Sequence, residues 1–217
     1  FSDYFEIIKF ATPETNVRFK ENTPVPKSED IIIKKCMCWE DIMHLQIADD
    51  ILTRAGIFVK WYVPYKPFAR QDRTTSLLHA NESEHLKNIL FRLDERLIFL
   101  DVHSDNEVLG VSISQFKVFQ FYGPLGEMPR QNRPWLPTFH LIVPDAGAAK
   151  KIPGNFASTV TFCQKTRDPV TGALSGFNVP EITTTLPMVL FDDICDGGGT
   201  FIGIAEHLQQ YRKNNKL

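Results

Sequence analysis

An α/β fold with mostly parallel sheets flanked by helices is predicted by three observations. Short β-branched or apolar runs alternate with stretches of helical periodicity along the chain. Several of these runs deliver charged residues directly at their ends, where the carboxyl ends of parallel strands in open α/β sheets hold ligands. Residues 186–201 join an apolar run to paired carboxylates, three consecutive glycines and a helical pattern, a strand–turn–helix unit in one sentence of sequence.

Taken in order, strands are predicted over residues 30–35, 57–63, 97–101, 138–143, 159–163 and 188–191. Each is short and rich in Ile, Val, Phe, Tyr or Thr, the residues that suit a pleated, packed surface. Between them, Ile42, Leu45, Ala48, Ile51 and Leu52 recur at helical spacing, and residues 77–93 carry a second helical pattern. After Thr200, Ile202, Ala205, Leu208 and Tyr211 predict a helix that starts as soon as the glycines end. Residues 121–137 are rich in Pro, Gly and Arg and mark a loop or a junction between halves.

Composition narrows the class. The 217 residues are 43% hydrophobic and 23% charged, enough to bury a core as one large or two small domains. A net charge of −2 gives no electrostatic case for nucleic acid or an anionic membrane, and no apolar stretch reaches spanning length. Cys36, Cys38, Cys163 and Cys195 lack paired CxxC spacing, so the simplest expectation is a reduced, cytoplasmic setting.

Three segments carry the chemistry. In residues 186–201, Met188, Val189, Leu190 and Phe191 form the strand, and Gly197, Gly198 and Gly199 allow backbone N–H groups to converge on a phosphate at a helix amino terminus. Asp192 and Asp193 then face sugar hydroxyls, with Asp196 three residues on. Residues 64–73, PYKPFARQDR, follow a predicted strand and place the planar donor forks of Arg70 and Arg73 where triphosphate oxygens are matched. Gln71 can donate to or accept from a nucleotide and Asp72 can orient a neighbouring arginine; a solvated ion-pair cluster also accounts for these four residues taken alone. Residues 97–106, LIFLDVHSDN, deliver Asp101 and His103 to a third strand end, a carboxylate and an imidazole suited to a hydrated cation.

The run at 186–201 resembles the ribose-phosphate motif of the type I phosphoribosyltransferase fold. Residues 64–73 resemble the ATP signature PYxxYARQDR of the ribose-phosphate pyrophosphokinases, also called phosphoribosyl pyrophosphate synthetases, with Phe68 in place of tyrosine. LDVHSDN is similar to that family's DLHxxQ. Residues 143–151, VPDAGAAKK, resemble its SPDAGGxxRA loop, keeping Asp145 and Gly147 and placing lysine where the family has arginine. Lys165, Thr166 and Arg167 match the Lys-x-Arg of its flexible catalytic loop, and residues 168–176 read as a mobile lid. Residues 10–18, FATPETNVR, resemble FxDGExxVR, matching at Phe10, Glu14, Val17 and Arg18 and departing at Thr12 and Pro13.

The resemblance implies two phosphoribosyltransferase-like domains, an ATP-binding one over residues 1–125 and a ribose-phosphate-binding one over 126–217, the second shortened at its end. It implies Mg²⁺-dependent transfer of the β,γ-pyrophosphate of ATP to the C1 hydroxyl of a 5-phosphorylated ribose, with AMP released. His103, Lys165 and Arg167 are then catalytic; Phe10, Glu14, Arg70, Gln71, Asp72 and Arg73 hold ATP. Asp192, Asp193, Asp196, Gly197, Gly198, Gly199 and Thr200 hold the acceptor, and His103, Asp101 and Asp145 lie near the metal. It further implies a homo-oligomer in which Phe10 stacks on the adenine of a neighbouring subunit, although Phe10 is equally a candidate core residue.

The family's loop DTGGT reads DGGGT at 196–200, so Gly197 loses a threonine hydroxyl and its bulk. Ribose 5-phosphate and ADP-ribose are therefore both candidate acceptors, the latter as in the synthetase-like enzymes of phage NAD⁺ salvage, which act in the host cytoplasm. From a different class, a non-catalytic synthetase-associated regulatory subunit is the alternative.

Overall fold

The computed structural model describes residues 1–71, 80–103, 109–113, 139–152, 159–167, 174–182 and 184–215. Asp72, Arg73, the junction expected at 121–137 with the domain boundary expected inside it, and residues 168–173 of the expected lid lie outside the described residues. The chain divides into two compact units, Phe1–Ser114 and Gln115–Leu217.

In the first unit, β3 (Ile31–Ile33), β4 (Lys60–Val63), β5 (Leu97–Leu100) and β6 (Val111–Ile113) form one sheet in sequence order, after the hairpin β1 (Phe5–Lys9) and β2 (Thr15–Phe19). All neighbouring pairs in the four-stranded sheet are parallel, with Ile32 opposite Trp61, Trp61 opposite Leu97 and Ile98 opposite Val111. The long helix α1 (Trp39–Arg54) connects β3 to β4, and α2 (Glu82–Leu90), continued by a 3₁₀ turn at Phe91–Arg96, precedes β5. Asn81 caps α2 by accepting from the Glu84 N–H at 2.9 Å, which sets the helix start later than the periodicity of residues 77–93 suggests.

Period-2 alternation turns Ile32, Trp61, Val63, Leu97 and Phe99 into one core with Ile42, Leu45, Ala48 and Leu52 of α1 and Leu86 and Leu90 of α2. Phe5 and Val17 tie the hairpin to this core, with Phe5 stacked on Phe1 and edge-on to Phe19. A buried polar anchor crosses it. Asp49 of α1 accepts from the Trp61 indole N–H at 2.8 Å and pairs with both terminal nitrogens of Arg96, one of them at 2.8 Å. The β5–β6 contact depends on Gly110: its φ is +68°, and a Cβ there would lie 2.6 Å from the Leu97 carbonyl oxygen.

In the second unit, β7 (His140–Val143) lies between β8 (Thr159–Phe162) and β11 (Met188–Leu190) in a parallel three-stranded sheet. His140 is buried on β7, and its ring nitrogens contact Thr159 Oγ1 at 2.6 Å and Thr161 Oγ1 at 2.7 Å on the adjacent strand. Burial lowers its pKa, so it is a neutral cross-strand clasp. The helix α4 (Gly199–Asn215) packs Ile204 and Leu208 against Ile142, Cys163, Val179 and Ile182. Tyr211 donates to Glu181 at 2.9 Å near the end of α4.

Two hairpins were not legible from periodicity. The segment at 10–18 is the tip and second strand of the antiparallel β1–β2 pair, in register Phe5 with Phe19 and Lys9 with Thr15. Lys165–Arg167 is not loop but strand: β9 (Gln164–Arg167) pairs antiparallel with β10 (Leu174–Asn178) through an irregularity between Leu174 and Gly176. The lid expected at 168–176 is thus strand over its last described residues.

Candidate active site

In the first unit, the two charged motifs leave adjacent parallel strands. Residues 64–73 begin where β4 ends and residues 101–106 begin where β5 ends, and Val63 lies opposite Phe99. Neighbouring strands are about 4.8 Å apart, so both chains turn out of the sheet side by side. Each turn contains a non-glycine residue in the left-handed region, Phe68 at φ +60° and Asp101 at φ +46°. Such conformations cost roughly 1–3 kcal/mol and persist where surrounding structure imposes them. Phe68 is held by stacking on Trp39 of α1, with ring centroids 4.3 Å apart and planes within 19°. Asp101 is held by its N–H, which donates to the Ile113 carbonyl at 2.8 Å.

Those turns present Arg70, Gln71 and His103 to solvent, with Asp101 half-buried. The Gln71 backbone is fixed on both sides, its N–H donating to Phe68 O at 2.9 Å and its carbonyl accepting from the Ser83 N–H at the start of α2. Phe10 is 53% exposed at the β1–β2 tip, so it is not a core residue. There the Phe10 N–H donates to the Glu14 carbonyl at 3.2 Å, and Thr12 donates to the Glu14 carboxylate at 3.4 Å, the position where the resembling family has Asp.

In the second unit, five charged side chains converge at the carboxyl ends of β7 and β11 and along β9. Asp145 follows β7 and caps the short helix α3 (Ala146–Ala149), its Oδ1 accepting from the Gly147 and Ala148 N–H groups at 2.9 Å each. Its Oδ2 accepts from Lys165 Nζ at 2.7 Å. Lys165 also lies 3.7 Å from Asp192 Oδ2, and Lys151, just after α3, donates to Asp193 Oδ2 at 2.9 Å. The loop after β11 then turns through Gly198 at φ +74°, and Gly198 O accepts the first helical bond of α4 from Ile202 N–H at 2.9 Å. Asp196, Gly197 and Gly199 are exposed in this turn, and Thr200 lies in the first turn of α4.

The sequence motifs therefore bring together Asp145, Lys165, Asp192 and Asp193, with Arg167 two residues along β9 and its side chain outside the described set. Lys151 was missed as a site residue. Its signal was present in the lysine that stands where the resembling loop carries arginine.

Burial works to raise the Asp145 pKa, but the Lys165 ammonium and two backbone N–H donors outweigh it and hold it below the ordinary carboxylate range. Asp192 goes the other way: burial and the adjoining Asp193 carboxylate push it up to about 6 against the pull of Lys165. The two carboxylates thus differ in proton affinity while sharing one lysine. A raised acid pKa stabilises the folded chain below the ordinary value of 3.8, and that contribution is lost as pH rises through about 6. Urea unfolding of wild type and Asp192→Asn between pH 4 and 7 is expected to show it: the advantage of wild type over the variant shrinks as pH rises across this window. A pH-independent difference counts against the assignment.

For a divalent cation, Asp101 and His103 supply one carboxylate and one imidazole near the end of β5. Mg²⁺ keeps several waters and binds through one or two carboxylates plus substrate phosphates, so this sparse donor set fits it as a phosphate-bound ion. Among the described residues, no three His, Cys, Asp or Glu side chains form a protein-only cage. No helix among them is long and apolar enough to cross a membrane.

Charged loops at the carboxyl ends of parallel strands, in two successive α/β units, define the class as a phosphoribosyltransferase-like two-domain fold. The solved structure of phosphoribosylpyrophosphate synthetase from Mycobacterium smegmatis has this fold and matches with a TM-score of 0.68 at 22% identity, over 95% of this chain and 68% of that one. By sequence, the chain is similar to ribose-phosphate pyrophosphokinases: it is 27% identical over 216 residues to the one from Mycoplasma genitalium, covering 93% of this chain and 61% of that protein. It is 26% identical over 212 residues to the one from Maricaulis maris, covering 93% and 66%. The chain thus spans under two thirds of the length of these relatives. No family model matches it.

Proposed function

We propose that the chain transfers the β,γ-pyrophosphate of ATP to the C1 hydroxyl of a 5-phosphorylated ribose. The observation that carries this reading is the acidic pair Asp192–Asp193 at the end of β11, followed by a glycine turn into α4 and met by Lys165 and Lys151. Carboxylates accept from vicinal sugar hydroxyls, and the N–H groups of Gly197, Gly198, Gly199 and Thr200 face the 5-phosphate. The relatives' name supports the same acceptor chemistry.

In the reaction, the C1 oxygen attacks the β-phosphorus, the bond from that phosphorus to the oxygen bridging to the α-phosphorus breaks, AMP leaves with that oxygen, and the proton of the C1 hydroxyl is released. Arg70 and Gln71 grip ATP, together with Asp72 and Arg73 of the same motif. Phe10, exposed on its hairpin and positioned by Glu14, offers a ring to the adenine, from a second copy of the chain in a homo-oligomer. Lys165 and Arg167 balance the charge spread over the transferring oxygens. Asp101 and His103 would hold Mg²⁺ on ATP, whereas Asp145, the third residue expected near the metal, already caps α3 and binds Lys165. When bound, the ion supplies charge neutralisation and in-line alignment of the phosphates.

Gly197 leaves the choice of acceptor open. A Cβ at this position meets nothing within 4 Å among the described residues, so the turn leaves space where the resembling loop carries threonine. That space suits a 5-phosphate bearing a further group, as in ADP-ribose, as well as the terminal phosphate of ribose 5-phosphate. Comparing AMP release from ATP with each sugar tests this. ADP-ribose turnover is expected in wild type, and Gly197→Thr is expected to shift preference toward ribose 5-phosphate by about tenfold, the value of one or two added contacts. Exclusive use of ribose 5-phosphate by wild type sinks the substituted acceptor. Loss of AMP release in His103→Ala separates an enzyme from an inert regulatory subunit, a reading that the converged charges of the second unit do not favour.

A further inference from the structure

We propose that Lys151 is a positioning residue for the acceptor, holding Asp193 in place so that the two adjacent carboxylates meet the sugar as distinct groups; this rests on the function proposed above. The acidic pair is not served by one cation. Asp192 lies 3.7 Å from Lys165, which is bound more closely, at 2.7 Å, by Asp145. Asp193 has its own lysine at 2.9 Å, and the two side chains of that pair are only 15% and 7% exposed.

The loop after β7 is consequently tied at two points. The turn after β7 sends Asp145 to Lys165 on β9, and two residues past α3 it sends Lys151 across to the loop after β11. The Lys151 N–H donates to the Ala148 carbonyl at 3.1 Å, so the lysine continues the turn of α3 and starts from a fixed backbone. Two neighbouring, largely buried carboxylates repel each other, and the Lys151 ammonium offsets that repulsion at Asp193 and orients its carboxylate. Removing it takes away the cation that aims Asp193 at the hydroxyls.

Calorimetric binding of ribose 5-phosphate and of ADP-ribose, without ATP, together with steady-state kinetics, tests this on the full chain. Lys151→Met is expected to weaken acceptor binding and raise the acceptor KM by about 30-fold, the usual scale for truncating one partner of a buried charge pair, with ATP KM unchanged. Lys151→Arg is expected to recover most of the loss, because its guanidinium also pairs with a carboxylate. Intact acceptor binding in Lys151→Met, or a parallel rise in both KM values without rescue by Lys151→Arg, overturns the proposal. Should Lys151→Met be insoluble, Lys151→Met combined with Asp193→Asn removes the orphaned charge; acceptor binding equal to that of Asp193→Asn alone supports coupling, and wild-type binding refutes it. A wild-type chain that binds neither sugar refutes the proposed function and this role with it, whereas intact binding in Lys151→Met refutes only the role.

Discussion

Lys165→Ala is expected to lower kcat by about 10³-fold, on the scale of removing one charge-stabilising group from a phosphoryl-transfer site. In the free chain the ammonium rests between Asp145 at 2.7 Å and Asp192 at 3.7 Å. Under the proposed function, a pyrophosphate arriving at this point would compete with both carboxylates for the same donors, and the lysine would exchange carboxylate contacts for phosphoryl oxygens as charge develops there. Its removal therefore acts on the transition state more than on the resting fold. Asp145 retains its two backbone donors, which keep α3 capped without the lysine. AMP formation with saturating ATP and sugar measures the effect, and a urea titration of the same variant verifies that it is folded. Lys165→Arg should regain part of the rate. A folded Lys165→Ala variant with near wild-type kcat removes Lys165 from the catalytic set.

The largest expected stability change lies in the first unit, at the buried Asp49–Arg96–Trp61 anchor. Asp49→Ala is expected to destabilise the fold by about 3–5 kcal/mol, the range found when one partner of a buried ion pair is removed. The Asp49 and Arg96 side chains are only 10% and 18% exposed, and Trp61, whose indole N–H points to Asp49, is fully buried. Alanine leaves the guanidinium and the indole N–H without their shared acceptor and opens space between α1 and the 3₁₀ turn. Asp49→Asn, which keeps one acceptor for Trp61, should cost less. Against a typical total of about 5–15 kcal/mol for a domain, the alanine variant has little stability left. The shift in the urea midpoint of the first transition measures it, and a change below about 1 kcal/mol, the scale of a surface pair, refutes the anchor.

Much of the parallel core was legible because its strands are short apolar runs whose side chains alternate. Ile32, Trp61, Val63, Leu97 and Phe99 all fall within predicted strands. The antiparallel hairpins were not: Thr15–Phe19 reads TNVRF, with only two apolar residues, and its partner supplies the pattern that identifies it. The same holds for Gln164–Arg167, whose polar sequence reads as loop until β10 pairs with it. At the site, Asp192, Asp193 and Lys165 were legible by type and order. Lys151 was present in the resembling loop but not singled out, since the adjacent lysines Lys150 and Lys151 look solvated until folding places a buried carboxylate 2.9 Å from the second. The strain at Phe68 was equally invisible, because a bulky aromatic residue does not announce a positive φ.

The parallel register of β4 and β5 carries a last consequence, for how this chain can change over generations. Trp61 opposite Leu97 and Val63 opposite Phe99 set the core, and the same ladder fixes where residues 64–73 and 101–106 emerge. A one-residue insertion in either strand turns its buried side chains outward and moves its charged loop along the sheet edge in the same event. Hydrophobic packing and the placing of these charged loops are therefore inherited together in this half of the molecule. A change confined to a turn leaves that ladder, and the core it sets, as they were.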